Sequence, residues 1–282
     1  MKLSSNLHKF HAALGLKKTI DVLSAAGFEG IDFNADIEEY HTDAHGPEFY
    51  KEIRAYAADK GIGFYQTHAP FRTNFPEQER TEQRFREIVK SMEHSVLLGA
   101  EMTVVHPYSH YENWENTSRD AVMESNFAFY KRLLPYAENL GLKIAIENIH
   151  GYITATAEDL IELVDSLGSD LFTVCFDVGH ANIAKENPGE MIRKLGSRLG
   201  CTHIHDNDGI NDLHTIPYYY NTIDWEDVMK ALADAGYKGN LNYEAARFVR
   251  NVPTDFLQTG ADYMAAVGKR LISRFEHYKN TL

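Results

Sequence analysis

Short apolar runs alternate along the chain with longer stretches in which apolar residues recur every three or four positions. "KLSSNL" (2–7) precedes "KKTIDVLSAAG", and "EGIDFN" (29–34) precedes "PEFYKEIRAYAADKG". "IGFYQTH" (62–68) leads through "APFRTNFPEQ" into "RTEQRFREIVKSMEHSVLLGA", and "MTVVHP" (102–107) leads into "AVMESNFAFYKRLLPYAENLG". "KIAIEN" (143–148), "FTVCFD" (172–177), "CTHIHD" (201–206) and "NLNYEA" (240–245) are each followed by a further stretch of this kind, the last being "DYMAAVGKRLISRFEHYK". The longer stretches carry helical spacing, as at Ile88, Met92 and Val96, and the short runs suit parallel strands buried on both faces. Gly27, Gly61, Gly99, Gly141, Gly168, Gly200 and Gly236 end helical stretches, where a left-handed C-terminal residue is cheapest as glycine.

Eight such units in right-handed succession predict an α/β fold, a (β/α)8 TIM barrel. A doubly wound open sheet usually has fewer units and a Gly-rich phosphate loop after its first strand, and "SSNLHKFHAALG" is not that loop. With 282 residues, 44% of them hydrophobic, and no linker or low-complexity tract, a single barrel domain spanning 1–282 is expected.

A net charge of −13 disfavours nucleic acid and acidic membrane surfaces as partners. The opening "MKLSSNLHKF" has no apolar stretch suited to a signal peptide, and no run approaches a membrane span of ~18 residues. Cys175 and Cys201 sit in apolar runs outside any C-x-x-C pair and read as buried free thiols. A reducing, cytoplasmic setting is expected.

The polar residues in these runs cluster where the strands end. His68, His106, Glu147, Asp177, His203 and Glu244 close successive strands, His180 follows shortly after Asp177, and Asp212 and His214 lie in the loop after the seventh strand. Active sites of such barrels form at this end. Burying an uncompensated carboxylate costs several kcal/mol or forces its protonation, and Glu147, Asp177 and Glu244 would repel one another there. A shared divalent cation removes both costs. His203 shares a strand face with His205 and lies deeper, so it is the better partner for Asp177 and Glu244, with His205 as runner-up. Asp206, Asn207 and Asp208 read as loop-turn residues, whereas Asp212 and His214 suit a second ion as well as a solvated turn. Tyr218, Tyr219 and Tyr220 suit either a lid or loop packing, and Tyr108, His110 and Trp114 add to the same rim. Arg72 and Arg247 are candidates for an anionic substrate group. His8, His11, His41, His45, His94, His150 and His277 read as structural or solvated.

The motifs "IEN", "FDVGH", "HIHDND" and "NYEA" resemble the xylose isomerase-like barrel superfamily, which includes sugar epimerases, inosose dehydratases and isomerases, hydroxypyruvate isomerases and endonuclease IV. The resemblance implies a central divalent metal on Glu147, Asp177, His203 and Glu244. It casts Glu147 and Glu244 as an acid/base pair on opposite faces of a bound ketose, with His180 on a substrate oxygen. Sugar 3-epimerases usually follow their His-x-x-Glu with Arg, whereas His203 is followed here by Asp206, Asn207 and Asp208. The resemblance to endonuclease IV implies three zinc ions on nine positions: His68, His106, Glu147, Asp177, His180, His203, Asp212, His214 and Glu244. That family's Gly-Glu-Gly stretch is absent after His214, where "TIPYYYNTIDW" stands instead.

The expected function is therefore isomerisation or epimerisation of a small sugar, inosose or sugar phosphate, using one to three ions of Zn, Mn, Co or Mg. A polynuclear phosphoesterase cleaving abasic sites is the alternative, and a sugar-binding barrel without catalysis is a third reading. A homo-oligomer is compatible with the sequence.

Overall fold

The computed structural model describes residues 1–108, 118–151, 153–245 and 247–281. Its strands are β1 (Leu3–Asn6), β2 (Gly30–Asn34), β3 (Gly63–His68), β4 (Met102–Val105), β5 (Lys143–Glu147), β6 (Phe172–Asp177), β7 (Leu199–His203) and β8 (Leu241–Tyr243). The helices between them are α1 (His8–Leu14), α2 (Leu16–Ala26), α3 (Pro47–Asp59), α4 (Gln78–Leu98), α5 (Arg119–Leu140), α6 (Ala157–Leu167), α7 (Val178–Ile183), α8 (Pro188–Leu195), α9 (Trp225–Asp234) and α10 (Leu257–Lys279). The strands pair in the order β7-β6-β5-β4-β3-β2-β1-β8, every ladder parallel. The seam between β7 and β8 is joined just beyond β7. There the Ile204 amide donates to Asn242 O at 2.8 Å and the Glu244 amide to Ile204 O at 3.1 Å. The architecture is the TIM barrel that the alternation predicts.

Strand alternation sorts the side chains. Ile31 and Phe33, Ile144 and Ile146, Val174 and Phe176, and Leu241 and Tyr243 join the apolar layer shared with the helices. The alternate positions face the barrel interior. Val104, Ala145, Cys175 and Cys201 fill it with a small apolar cluster, and two residues further along each chain segment come His106, Glu147, Asp177 and His203. Both cysteines are buried and free, as expected. Among the described residues no helix is long and apolar enough to cross a membrane.

Two short helices were not anticipated. α1 and α7 turn the chain sharply over the C-terminal ends of β1 and β6. α7 begins where the Asp177 carboxylate accepts the His180 amide at 2.6 Å, capping chemistry supplied by a residue predicted as a metal ligand. Gly200 is a correction. It does not end a helix but lies in β7, and α8 stops earlier, at Gly196, with φ 53°. The ladder between β6 and β7 shifts register opposite Gly200, where a Cβ would stand 2.5 Å from Thr173 Cγ2. Glycine is needed there for a close strand approach.

Leu163 faces the apolar layer from α6 and is fully buried. Leu163→Ala is expected to lower unfolding free energy by about 2–5 kcal/mol, read from the midpoint of urea denaturation.

Candidate metal centre

Four interior strand ends bring Glu147, Asp177, His203 and Glu244 together with ligand atoms within 4.8 Å of one another. His203 Nδ1 lies 3.1 Å from Glu147 Oε1, 3.2 Å from Glu244 Oε2 and 4.0 Å from Asp177 Oδ2. Glu147, Asp177 and His203 are buried, and Glu244 is reached from the barrel mouth.

Two further groups flank this core. On one side His106 Nε2 and His68 Nε2 stand 3.0 and 3.5 Å from Glu147 Oε2, and 3.2 Å from each other. On the other side lie His180, His205, Asp212 and His214. His214 Nε2 is 2.8 Å from Asp212 Oδ2, and His180 Nε2 and His205 Nε2 are 3.8 and 3.9 Å from Asp212 Oδ1. Glu147 thus joins the core to the first group. Asp177 joins it to the second, with Oδ1 3.0 Å from His205 Nε2.

Backbone carbonyls orient three of the six imidazoles. Nδ1–H of His68, His180 and His214 donates to Ala69 O, Asn148 O and Glu244 O at 3.0, 2.9 and 3.0 Å, which leaves each Nε2 free as a ligand atom. His203 is turned the other way. Its Nε2 is 3.2 Å from Asp32 Oδ2, so Nδ1 points at the carboxylates. Asp32 is itself held by Gln66 Nε2 at 3.0 Å and Asn242 Nδ2 at 2.9 Å, and Asn242 Oδ1 accepts from Ser4 Oγ at 2.8 Å. A register shift after Ile31 sets Asp32 opposite Gln66. Asn148 clamps the ends of β5 and β6, accepting the Asp177 amide at 2.7 Å and donating to Asp177 O at 2.8 Å.

The donors fit a divalent cation. Asp177 Oδ2, Asp212 Oδ1 and both ring nitrogens of His205 are buried without a hydrogen-bond partner among the described residues, although such groups are almost always satisfied. The carboxylates also hold protons on neighbouring imidazoles. Burial opposes charge on His68, but the Glu147 hydrogen bond and charge raise it to about 9. Burial likewise opposes charge on His214, yet Glu244 and Asp212 raise it to about 10. Asp212, despite its burial, is lowered to about 2 by His214. Glu147 and Glu244 are held well below the usual carboxylate range against their burial, chiefly by His203. Protons on these imidazoles stand in for the charge of a cation.

The structure brings together all nine positions named for the polynuclear site. Asp206 and Asp208 do turn work: Asp206 Oδ2 accepts the Tyr219 and Tyr220 amides at 2.9 and 3.1 Å, and Asp208 Oδ1 accepts those of Ile210 and Asn211 at 2.9 and 2.7 Å. A cavity of about 380 Å³ opens above the donors, within the range of small-molecule sites. Arg247 lines it, and its guanidinium donates to Asp212 O. Arg72, Tyr108 and Tyr219 are not among its lining residues. Arg72 stacks over Phe75, Tyr108 packs against Phe129, and Tyr219 is 61% exposed. His110 and Trp114 lie outside the described residues. Asn6, His8, Lys9, Asp36 and Phe71 form the rest of the wall. Of these, His8 was read as structural or solvated, and its place beside the first strand end was the available signal. Asp32 was missed because "GIDFN" carries its carboxylate in mid-strand rather than at the end.

Two outcomes follow for the metal-free protein. Ligand imidazoles must be neutral, so a cation held by His214, or by His68, displaces the proton on that ring. Both lie above the free-imidazole value of 6.5, so apparent affinity for a divalent cation is expected to climb as pH rises from 6 towards 9. Calorimetry in buffers of differing ionisation enthalpy is expected to show proton release. Asp32→Asn, which keeps an acceptor but removes the carboxylate behind His203, is expected to weaken cation binding about 10–100-fold, measured by chelator competition.

Comparison with known proteins identifies the fold and the family. An uncharacterised protein of Methanocaldococcus jannaschii, MJ1311, is 33% identical over 186 residues, 63% of this chain and 62% of that one, so the match spans under two thirds of its length. D-psicose 3-epimerase of Enterocloster bolteae is 26% identical over 235 residues, covering 79% of this chain and 74% of the epimerase. The crystal structure of IolI protein with a bound zinc atom superposes with a TM-score of 0.77 at 20% identity, covering 99% of each chain. The profile of the xylose isomerase-like TIM barrel family matches residues 20–267. With eight parallel strands, helices around them and this match over most of its length, the chain belongs to the xylose isomerase-like TIM barrel family.

Proposed function

We propose that the protein is a divalent-metal-dependent isomerase or epimerase of a small sugar, inosose or sugar phosphate, working by proton transfer next to a carbonyl. The observation that carries this reading is the placement of Glu147 and Glu244. They come from β5 and the end of β8, with β6 and β7 between them, and both line the cavity while reaching the same His203 nitrogen. The similarity to D-psicose 3-epimerase supports the substrate class, and the zinc in IolI supports a metal-holding site on this fold. Glu147, Asp177, His203 and Glu244 would hold the ion.

A divalent cation bound there supplies Lewis acidity that polarises a substrate carbonyl and acidifies the adjacent C–H. The rest falls to the chain. Both glutamates are kept ionised by the imidazoles around them, so each is a proton acceptor. One carboxylate takes the proton from the carbon, and the other, or the same one after the carbon turns, returns it. Whether the product is an epimer or an isomer depends on the face and carbon that receive the proton. His180, its Nε2 free and lining the cavity, is placed to donate to a substrate oxygen. Arg247, Lys9 and His8 on the same wall suit an anionic substituent.

The convergence of all nine donors specifically favours a second reading, metal-assisted phosphoester hydrolysis. Ions paired at ~3.5–4 Å clamp the attacking and leaving oxygens of such reactions. The net charge of −13 works against a polyanionic duplex as substrate.

The test is solvent exchange at carbon. Incubated in deuterium oxide with the metal-loaded protein, a ketose, inosose or sugar phosphate from a broad carbonyl panel is expected to acquire deuterium beside its carbonyl, followed by NMR. Glu147→Gln and Glu244→Gln are each expected to slow exchange at least ~10²-fold, with metal content measured on the same samples. Chelator-sensitive cleavage of an abasic-site duplex or a simple phosphodiester, with no exchange across the panel, would reverse the order of the two readings.

A further inference from the structure

We infer that His205 is a metal ligand, and that with His180, Asp212 and His214 it forms a second cation site whose four protein donors complete a tetrahedral shell. The resemblance to endonuclease IV implies His180, Asp212 and His214 as ligands but leaves His205 out. The inference rests on the metal-centre reading and adds to it a ligand and a differently built site.

His205 is fully buried, and neither ring nitrogen has a hydrogen-bond partner among the described residues. Nε2 lies 3.0 Å from Asp177 Oδ1, outside hydrogen-bonding alignment, and 3.9 Å from Asp212 Oδ1, which is itself buried and unpartnered. A buried imidazole satisfied at neither nitrogen is unfavourable. One satisfied by a cation is not.

The surroundings are built to aim donors at this point. His180 and His214 each spend Nδ1–H on a backbone carbonyl, so their Nε2 atoms face Asp212, as His205 Nε2 does. The His205 and His214 rings stack with centroids 4.0 Å apart. The backbone opposite has been cleared of side chain: a Cβ on Gly179 would stand 2.0 Å from His205 Cε1 and 2.4 Å from its Nδ1. Gly179 has no left-handed φ to account for it. Room for the imidazole is what requires glycine there.

Three imidazole nitrogens and one carboxylate oxygen form a zinc-type donor set, taken at ~2.0–2.2 Å in tetrahedral geometry. The donors lie within 4.8 Å of one another, and would draw in by up to about 1.5 Å to reach that shell. A shell filled by protein leaves no position for water, so this ion would not generate a nucleophile. It would tie the loop carrying Asp212 and His214 to α7 and to the segment just beyond β7, and neutralise Asp212. The carboxylate-rich core would remain the site that meets substrate.

The test is a cobalt(II) titration of the metal-free full chain. One cobalt equivalent is expected to give the intense visible d–d absorption of a four-coordinate ion, distinct from the weak spectrum of a carboxylate-rich, water-bearing site. His205→Asn is expected to lose that band and one ion per chain, while the core ion stays. Gly179→Ala removes no donor but displaces the His205 ring, and is expected to weaken the same ion by about tenfold or more. An unchanged metal count and band in His205→Asn would overturn the inference, as would a wild-type titration lacking the four-coordinate band. If His205→Asn does not fold, by circular dichroism, the wild-type spectrum and Gly179→Ala decide. Core binding without the second ion sinks this inference alone, whereas no cation binding at all sinks the metal-centre reading with it.

Discussion

The structure is organised around one constraint: four carboxylates and six imidazoles share the interior of one end of the barrel, beneath a cavity. Glu147, Asp177 and His203 are buried there, with Asp212 and Glu244 above them. Such a set is costly unless charge is balanced locally, since effective penalties per buried ion are several kcal/mol. Without a cation, the balance is kept by protons on His68 and His214. A cation would displace the proton only from an imidazole that becomes its ligand, and would take over that share of the balance. The polar residues beneath serve this arrangement. Asp32, Gln66, Asn242 and Ser4 link four strands and fix which nitrogen of His203 faces the carboxylates.

Much of this was legible in the sequence because a barrel converts strand periodicity into position. In "KIAIEN" and "FTVCFD" the helix-facing positions hold Ile, Val and Phe, while the interior ones hold Ala145 then Glu147, and Cys175 then Asp177. A small apolar residue followed by a carboxylate on the same face marks the strand end. Helix ends at Gly27, Gly99, Gly141 and Gly168 were legible for a different reason: each adopts the left-handed conformation.

What was not legible depends on local departures from period two. β3 skips one residue against β2, and β7 skips Gly200 against β6. Those shifts set Asp32 against Gln66 and make Gly200 a strand residue, and nothing in a single sequence announces a bulge. α1 and α7 are each shorter than two full turns and carry cavity-lining residues rather than an apolar stripe. Their role is to fold the chain over the mouth, which brings His8, Lys9 and His180 to the cavity wall. Rim residues such as Tyr219 were harder still, because a loop aromatic has no periodicity to say which way it faces.

The two catalytic readings separate at the His68 and His106 pair rather than at the core, which both require. His68 is buried, whereas the His106 side chain is 24% exposed to the cavity, and its charge is disfavoured by burial while His68 keeps its proton. A hydrolase needs this pair and Glu147 Oε2 to hold an ion near the core ion, which occupies the cavity floor with metal. An isomerase leaves His106 neutral and His68 charged, a donor and an acceptor side by side at the wall, suited to substrate hydroxyls. Glu147 cannot serve fully in both: a carboxylate with each oxygen bound to a cation is a poor base. The proton-transfer reading therefore requires the His68 and His106 side of the cavity to stay free of metal, even where the His180 side is filled.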